Sequence, residues 1–403
     1  MNKKNIPFML PDISQKEIKA VTKTIRSGWI TTGKKTKEFE EKITGYCNTE
    51  KTVCLNSATA CLDLILKLFE FDKNDEIITT PYTYCSIPNT IYHTGAKIIF
   101  IDTKKNEFNI DIQKIEKAIT KKTKAIITVD IAGWPVDYDE IKSILEKNKK
   151  KYNPKKNSLQ EKIERPLFIS DSSHSFGAKY KNKNIGSFAD FTFFSFHATK
   201  NLTTAEGGAL TYNSLPEIKS DQIYKKLMLL SLHGQSKDAY TKLQAGSWRY
   251  SVDLAGYKYN MPDIAASMGL AQLKRYDKEI YPKRKKLFEF YIKEFINDNR
   301  FILPDYKNDI KESAYHIFPL RINNINEKER DIIIDKMAKR NISLNVHFIP
   351  IIMQPFYKKL GYNIKDYPNT YNMYKNEISL PFYSKLKVKK AKYVTNELKK
   401  TTK

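Results

Sequence analysis

Seven short apolar runs, each followed or preceded by a stretch of helical period, fill residues 14–215 of this 403-residue chain. The runs are 52–55, 76–80, 97–101, 125–129, 167–170, 191–196 and 209–212. Several are rich in Ile and Val with little polar alternation, the pattern of strands buried on both faces. The intervening stretches read as helices over 14–27, 36–46, 58–69, 86–93, 112–119 and 138–146. The first carries a capping box, Ser14 with Glu17, and stops near Gly28. Such alternation predicts an α/β fold with a mainly parallel sheet sandwiched by helices.

Beyond this core the pattern changes. Residues 147–164 are rich in lysine and asparagine, contain Asn153-Pro154 and read as an exposed insertion. After about residue 215 longer helical patterns appear at 264–276 and 282–295. A strand at 316–322, a helix at 327–339 and a second strand near 342–348 follow. The expected division is a large α/β domain over 1–255, including the N-terminal segment, and a bridging helix with a smaller α+β C-terminal domain over 256–403.

No apolar run approaches the roughly 18 residues of a membrane span, and the apolar patch within residues 1–14 is too short for a signal-peptide core. A soluble, cytoplasmic protein with no membrane partner is expected. Cys47, Cys54, Cys61 and Cys85 form no C-x-x-C pair and join no histidine cluster. They read as small buried hydrophobes in a reducing compartment, with no metal. The net charge is +25, with the densest basic run at 147–156. Nucleic-acid binding would exploit such charge, as would attraction of a nucleotide-linked anion. The basic residues are scattered, and no zinc finger, RRM signature or isolated basic amphipathic helix accompanies them. A solvated lysine-rich surface is therefore the favoured reading, and a basic nucleic-acid-binding protein the non-enzymatic alternative.

The chemistry concentrates around Lys200, which sits just past the aromatic run at 191–196 and before the small, flexible segment Thr203-Thr204-Ala205-Glu206-Gly207-Gly208. A lysine beside a packed strand is costly. Desolvation releases its proton more readily and lets it form a Schiff base with an aldehyde. The aldehyde that fits is pyridoxal 5′-phosphate, which also needs a carboxylate at its pyridine nitrogen, an anion site and a flat cover. Asp171 closes the run at 167–170, 29 residues before Lys200, so both can open on one crevice at the carboxyl ends of neighbouring strands. By itself it could equally be a helix cap. His174 could contact the ring's phenolic oxygen or be an ordinary turn histidine. Asn56-Ser57-Ala58-Thr59-Ala60 runs from a strand into a helix, as a phosphate site or a plain N-cap. Ser195 offers another phosphate contact, and Tyr84 a ring to stack, unless it is a core tyrosine.

Together these motifs resemble the DegT/DnrJ/EryC1/StrS family of nucleotide-sugar aminotransferases, of the fold type I class. The resemblance runs from Ser27-Gly28-Trp29-Ile30 through Asn56-Ser57-Ala58-Thr59-Ala60 and Thr80-Pro81-Tyr82-Thr83-Tyr84. It continues in Asp171-Ser172-Ser173-His174 and Ser195-Phe196-His197-Ala198-Thr199-Lys200, then Gly256-Tyr257-Lys258-Tyr259-Asn260 and His347-Phe348-Ile349-Pro350. It implies Lys200 as the Schiff-base lysine, Asp171 at the pyridinium nitrogen and His174 near the phenolic oxygen. Ser57, Ala58, Thr59 and Ser195 would hold phosphate, and Tyr84 would stack. Asn260 would reach the partner subunit's cofactor, which implies a homodimer with shared sites. Ala58, where the family often has glycine, Ser172-Ser173, where alanines are common, and Trp134, near the expected substrate mouth, depart from the pattern. The implied activity is ping-pong transamination of a nucleotide-linked keto sugar with L-glutamate as donor. A UDP-4-keto sugar is the favoured acceptor and a dTDP-3-keto-6-deoxyhexose the alternative. A sugar 3-dehydratase of the same fold would have histidine in place of Lys200.

Overall fold

The computed structural model describes residues 5–237, 242, 246 and 248–402. Residues 1–4, part of the segment weighed as a leader, lie outside the described residues. Nine strands lie between residues 51 and 212: β1 Lys51–Leu55, β2 Glu76–Thr79, β3 Lys97–Phe100, β4 Thr123–Val129, β5 Leu167–Asp171, β6 Lys179–Tyr180, β7 Lys183–Asn184, β8 Phe191–Ser195 and β9 Gly208–Tyr212. β10 Phe301–Ile302, β11 Lys311–Glu312, β12 Phe318–Ile322 and β13 Glu377–Leu380 follow. The main sheet has seven strands in the order β1-β9-β8-β5-β4-β2-β3. Only β9 runs against its neighbours. All seven expected strands are therefore present, and the sheet is mainly parallel.

Burial explains the near-continuous apolar runs. Alternate residues of each strand enter different cores. Ile77, Ile127, Ile169 and Phe193 pack on one face of the sheet. Ile78, Ile126, Phe168 and Phe194 pack on the other. Period-2 geometry with helices on both faces makes every position apolar. Cys47, Cys54 and Cys61 are free thiols in this packing, each at most 3% exposed.

The helices form where the periodic pattern places them: Gln15–Arg26, Lys34–Cys47, Ala58–Leu68, Ser86–Thr94, Ile112–Ala118 and Tyr138–Lys147. The Ser14/Glu17 capping box is made in both directions. Asp263, at the start of the helix Asp263–Arg275, accepts from the amides of Gly33 (2.8 Å) and Thr36 (2.9 Å), which satisfies free donors at the head of Lys34–Cys47. Arg275 ties the far end of the same helix to Glu17 (2.7 Å) and Asp12 (3.0 Å). After one π turn, Tyr276–Ile280, the chain continues as the helix Tyr281–Phe295.

A second, antiparallel sheet has the order β10-β12-β13. Phe318, Leu320, Ile322, Ile378 and Leu380 pack in a third core with Phe288, Tyr291, Met337 and Val394. Ile6 joins that core and bridges Ile342. The alternate residues Pro319, Arg321, Glu377 and Ser379 belong to the opposite face of the sheet.

Two expectations need correction. Residues 342–348 are not a strand. β13 takes the place beside β12, and Asn345 only exchanges a bridge with Ser379. The insertion at 147–164 is not wholly exposed, because Leu159 and Ile163 are buried and the Gln160 side chain donates to the Phe69 carbonyl (2.8 Å). Its basic run is nevertheless at the surface, with Lys147 paired to Glu116 and Lys155 to Asp72. Among the described residues no helix is long and apolar enough to cross a membrane.

Candidate active site

The carboxyl ends of β1, β8, β5 and β4 lie along one edge of the sheet. A cavity of about 540 Å³ opens there. Ser57, Ala58, Thr59, Tyr84, Asp171, His174, Ser195 and Lys200 all line it. These are eight of the nine residues expected from sequence.

The ninth, Asn260, does not line this cavity. Its backbone bridges Leu55, and its Nδ2 donates to the Thr32 hydroxyl (2.5 Å). Trp134, expected near the substrate mouth, lines a separate cavity with Phe108, Arg321 and Pro304. Its carbonyl accepts from Asn109 Nδ2 (3.0 Å).

Asp171 is the last residue of β5, opposite Phe193 of β8. Its Oδ1 accepts from the Ser173 amide (2.9 Å). Burial pushes its carboxyl up to about 6, against the pull of the Ser173 hydrogen bond and of Lys200. Lys200 stands on the turn after β8, with its amide donating to the His197 carbonyl (2.9 Å). Burial lowers its ammonium to about 8, and Asp171 partly restores it. The two shifts share one cause: neither charge is well solvated, and each partly compensates the other.

The serine pair that departs from the family pattern has a structural role. Ser172, fully buried, donates to Asp130 Oδ2 (3.1 Å) together with Ser175 (2.7 Å) and Tyr138 (2.8 Å). Ser173 faces the cavity. An alanine at 172 would take one donor from a carboxylate already buried beneath the strand end.

One side of the cavity is built by the head of the helix Ala58–Leu68. Ser57 caps it, and its hydroxyl accepts from the Ala60 amide (3.0 Å). The Ala58 and Thr59 amides, first in the helix, have no intrahelical acceptors. Gly208 lies directly beneath: a Cβ there would stand 2.5 Å from the Ala58 nitrogen. The positive end of the helix dipole adds to this anion seat. Because the donors are backbone amides, alanine at 58 leaves them intact.

His174 closes the other side. Its ring lies 4.4 Å from that of His316 and stacks on Phe348 at 5.7 Å. Its Nδ1 is buried and has no hydrogen-bond partner among the described residues. Burial, with Lys200 and His347 nearby, holds this imidazole far below its usual range and hence neutral. An orphaned buried nitrogen next to an amine, a carboxyl and an amide-lined anion seat fits the polar edge of pyridoxal phosphate. Tyr84 is 60% exposed at the mouth, its ring 6.1 Å from Phe348. It has a free face to stack.

Sequence reasoning did not single out His316, His347, Phe348, Asn345 or Phe8 as cavity residues. They come from distant segments, and only the His347-Phe348 motif gave a signal.

Fold and site together define a pyridoxal-phosphate-dependent aminotransferase of fold type I. The profile of the DegT/DnrJ/EryC1/StrS aminotransferase family matches residues 11–399, and the chain belongs to this family. It is 42% identical to the Spr1654 protein of Streptococcus pneumoniae solved in its PMP form, with TM-score 0.95 and 99% of each chain covered. It is 37% identical to the spore coat polysaccharide biosynthesis protein SpsC of Bacillus subtilis, over 94% of this chain and 92% of that one. It is 34% identical to the UDP-4-amino-4,6-dideoxy-N-acetyl-beta-L-altrosamine transaminase of Campylobacter jejuni strain 81-176, over 98% of this chain and 96% of that one. The chain is thus a sugar aminotransferase.

Proposed function

We propose that this enzyme moves the amino group of L-glutamate to C4 of a UDP-linked 4-keto sugar. The observation that carries the reading is the convergence of Lys200, Asp171, His174 and the Ala58–Thr59 amides on one cavity. The Campylobacter relative, whose name denotes a UDP-4-amino sugar, supports the nucleotide and the position.

When bound, pyridoxal phosphate supplies an aldehyde that takes up the amine and a ring that withdraws electrons. The rest belongs to the chain. The Ala58 and Thr59 amides, with the Ser57 and Ser195 hydroxyls, bind the phosphate. Asp171 would hold a proton on the ring nitrogen, and His174, whose buried Nδ1 has no partner among the described residues, would serve the phenolic oxygen. Tyr84 covers the ring face. Lys200, with its proton affinity near the operating pH, would take the proton from the donor's Cα in the first half-reaction and deliver a proton to the sugar C4 in the second. Donor and acceptor use the same cavity in turn, so the kinetics are ping-pong. Asn260 serves the cavity of the partner subunit in a homodimer.

The test is a panel of UDP- and dTDP-linked 3- and 4-keto sugars incubated with glutamate, with 2-oxoglutarate followed by mass spectrometry. Release with UDP-4-keto sugars alone supports the assignment. Turnover only with a dTDP-3-keto sugar, or with none of the panel, rejects it.

A further inference from the structure

The inner face of the small sheet carries a buried polar chain that ends at the active-site cavity. Glu377 and Ser379 stand two residues apart on β13, on the face away from the third core. Both are fully buried. Glu377 Oε2 accepts from the His347 amide (2.9 Å), and Oε1 is 2.6 Å from the Ser379 hydroxyl. That hydroxyl lies 2.9 Å from His347 Nδ1. The His347 ring lines the cavity, is stacked on Phe8 at 5.2 Å, and its Nε2 has no hydrogen-bond partner among the described residues.

For a neutral ring, two proton arrangements let the Ser379 hydroxyl donate once and accept once along this chain. With Glu377 ionised, the Ser379 hydroxyl donates to Oε1 and accepts from Nδ1–H. Nε2 then faces the cavity as a bare acceptor. With Glu377 protonated, Oε1–H donates to Ser379, whose own proton turns to Nδ1. The ring must then carry its proton on Nε2 and offers the cavity a donor. We infer that Glu377, acting through Ser379, is a positioning residue that sets the tautomer of His347 and so decides whether the cavity wall offers bound sugar an acceptor or a donor. This rests on the sugar-transfer reading above only for the identity of what meets Nε2.

The surroundings hold the choice near neutrality. Burial raises the Glu377 carboxyl to about 8, against Ser379, the His347 amide and Arg330. Arg330 approaches from the helix Glu327–Ala338 and is committed to the Tyr374 carbonyl and Asp331. Arg321 stands opposite Glu377 on β12, and burial lowers its guanidinium. Tyr82 donates to the His347 carbonyl (2.8 Å). Lys200 faces His347 across the cavity, and burial with that charge lowers its imidazole to about 3. The ring therefore stays neutral, and it is Glu377 that titrates.

The experiment is ¹⁵N-histidine NMR of the purified holoenzyme from pH 6.5 to 9.5, with His347→Gln assigning the resonance. In the wild type the proton on His347 is expected to pass from Nε2 to Nδ1 as pH rises through about 8. Glu377→Gln, whose carbonyl oxygen is kept by the His347 amide so that its NH2 donates to Ser379, should hold the ring with Nε2 protonated across the whole range. Ser379→Ala should uncouple the tautomer from pH. A His347 resonance that ignores pH in the wild type, or that still titrates in Glu377→Gln, overturns the inference. Neither readout uses sugar turnover. A failed substrate panel with an intact tautomer switch would count against the proposed reaction, not against the relay.

Discussion

Lys200 and Asp171 line one cavity, and burial moves their proton affinities toward each other, the amine down to about 8 and the acid up to about 6. Near pH 7 both are poised to exchange protons, the condition for acid–base work at a keto or amino carbon.

Replacing Lys200 by alanine removes the only amine in the cavity wall among the described residues. Wild type incubated with pyridoxal phosphate and borohydride should retain the cofactor covalently, and Lys200→Ala should not. Turnover should fall by at least about 10⁴-fold. Mass spectrometry of the intact protein checks the first point, and a reducible adduct in the variant would refute the assignment.

Asp171→Asn keeps the shape but cannot hold a proton on the ring nitrogen. Turnover should fall on the order of 10²- to 10⁴-fold while the reducible adduct still forms. Steady-state kinetics beside the borohydride assay separate the two effects.

Burying the Lys200 amine carries a cost in stability whose pH dependence follows from its sign. Its folded value lies below the unfolded one, so between about 8 and the ordinary 10.5 the unfolded chain binds more protons. The destabilisation is fully present below pH 8 and disappears as pH rises through that window. Apo Lys200→Met should therefore melt higher than apo wild type at pH 7, by on the order of 1 kcal/mol after the loss of its attraction to Asp171. The gain should vanish by about pH 10.5. Melting curves at pH 7 and pH 10.5 decide it.

Ser57 acts through the helix it caps. Ser57→Ala should lower stability by about 1 kcal/mol, and Ser57→Gly by only a few tenths. Pyridoxal phosphate affinity should weaken in both. Denaturant unfolding and a cofactor titration read the two effects.

If Asn260 serves the partner's cavity, mixing inactive Lys200→Ala with a weakened Asn260→Ala enzyme should restore activity. Each mixed dimer then assembles one site with an intact lysine and an intact asparagine. Absence of any gain after subunit exchange would show that Asn260 acts within its own chain or not at all.

The main sheet was legible in the sequence because burial on both faces leaves uninterrupted apolar runs, as at 125–129 and 191–196. Lys200, Asp171 and the Ser57–Thr59 turn were legible because each follows such a run and the chain can leave a parallel strand only at its carboxyl end. β13 was not, since Glu377 and Ser379 break the apolar pattern on a face turned to a buried polar chain. Nor was His316, which reaches the cavity from more than a hundred residues beyond Lys200, while His347 showed only as part of a family motif with no role attached. The burial of Gln160 was hidden as well, because its partner is a backbone carbonyl and leaves no trace in side-chain pattern.

Gly208 gives the site a blind spot to repair. With a single added carbon 2.5 Å from the Ala58 nitrogen, any other side chain would either displace the first helical turn or cap the amides that should greet the phosphate. No change at a neighbouring surface position can make that room, since the added carbon would meet the main chain of Ser57 and Ala58. The floor of the anion seat is thus fixed by what residue 208 lacks, and an engineer reshaping this enzyme for another sugar would have to leave that floor alone and work from the mouth inward.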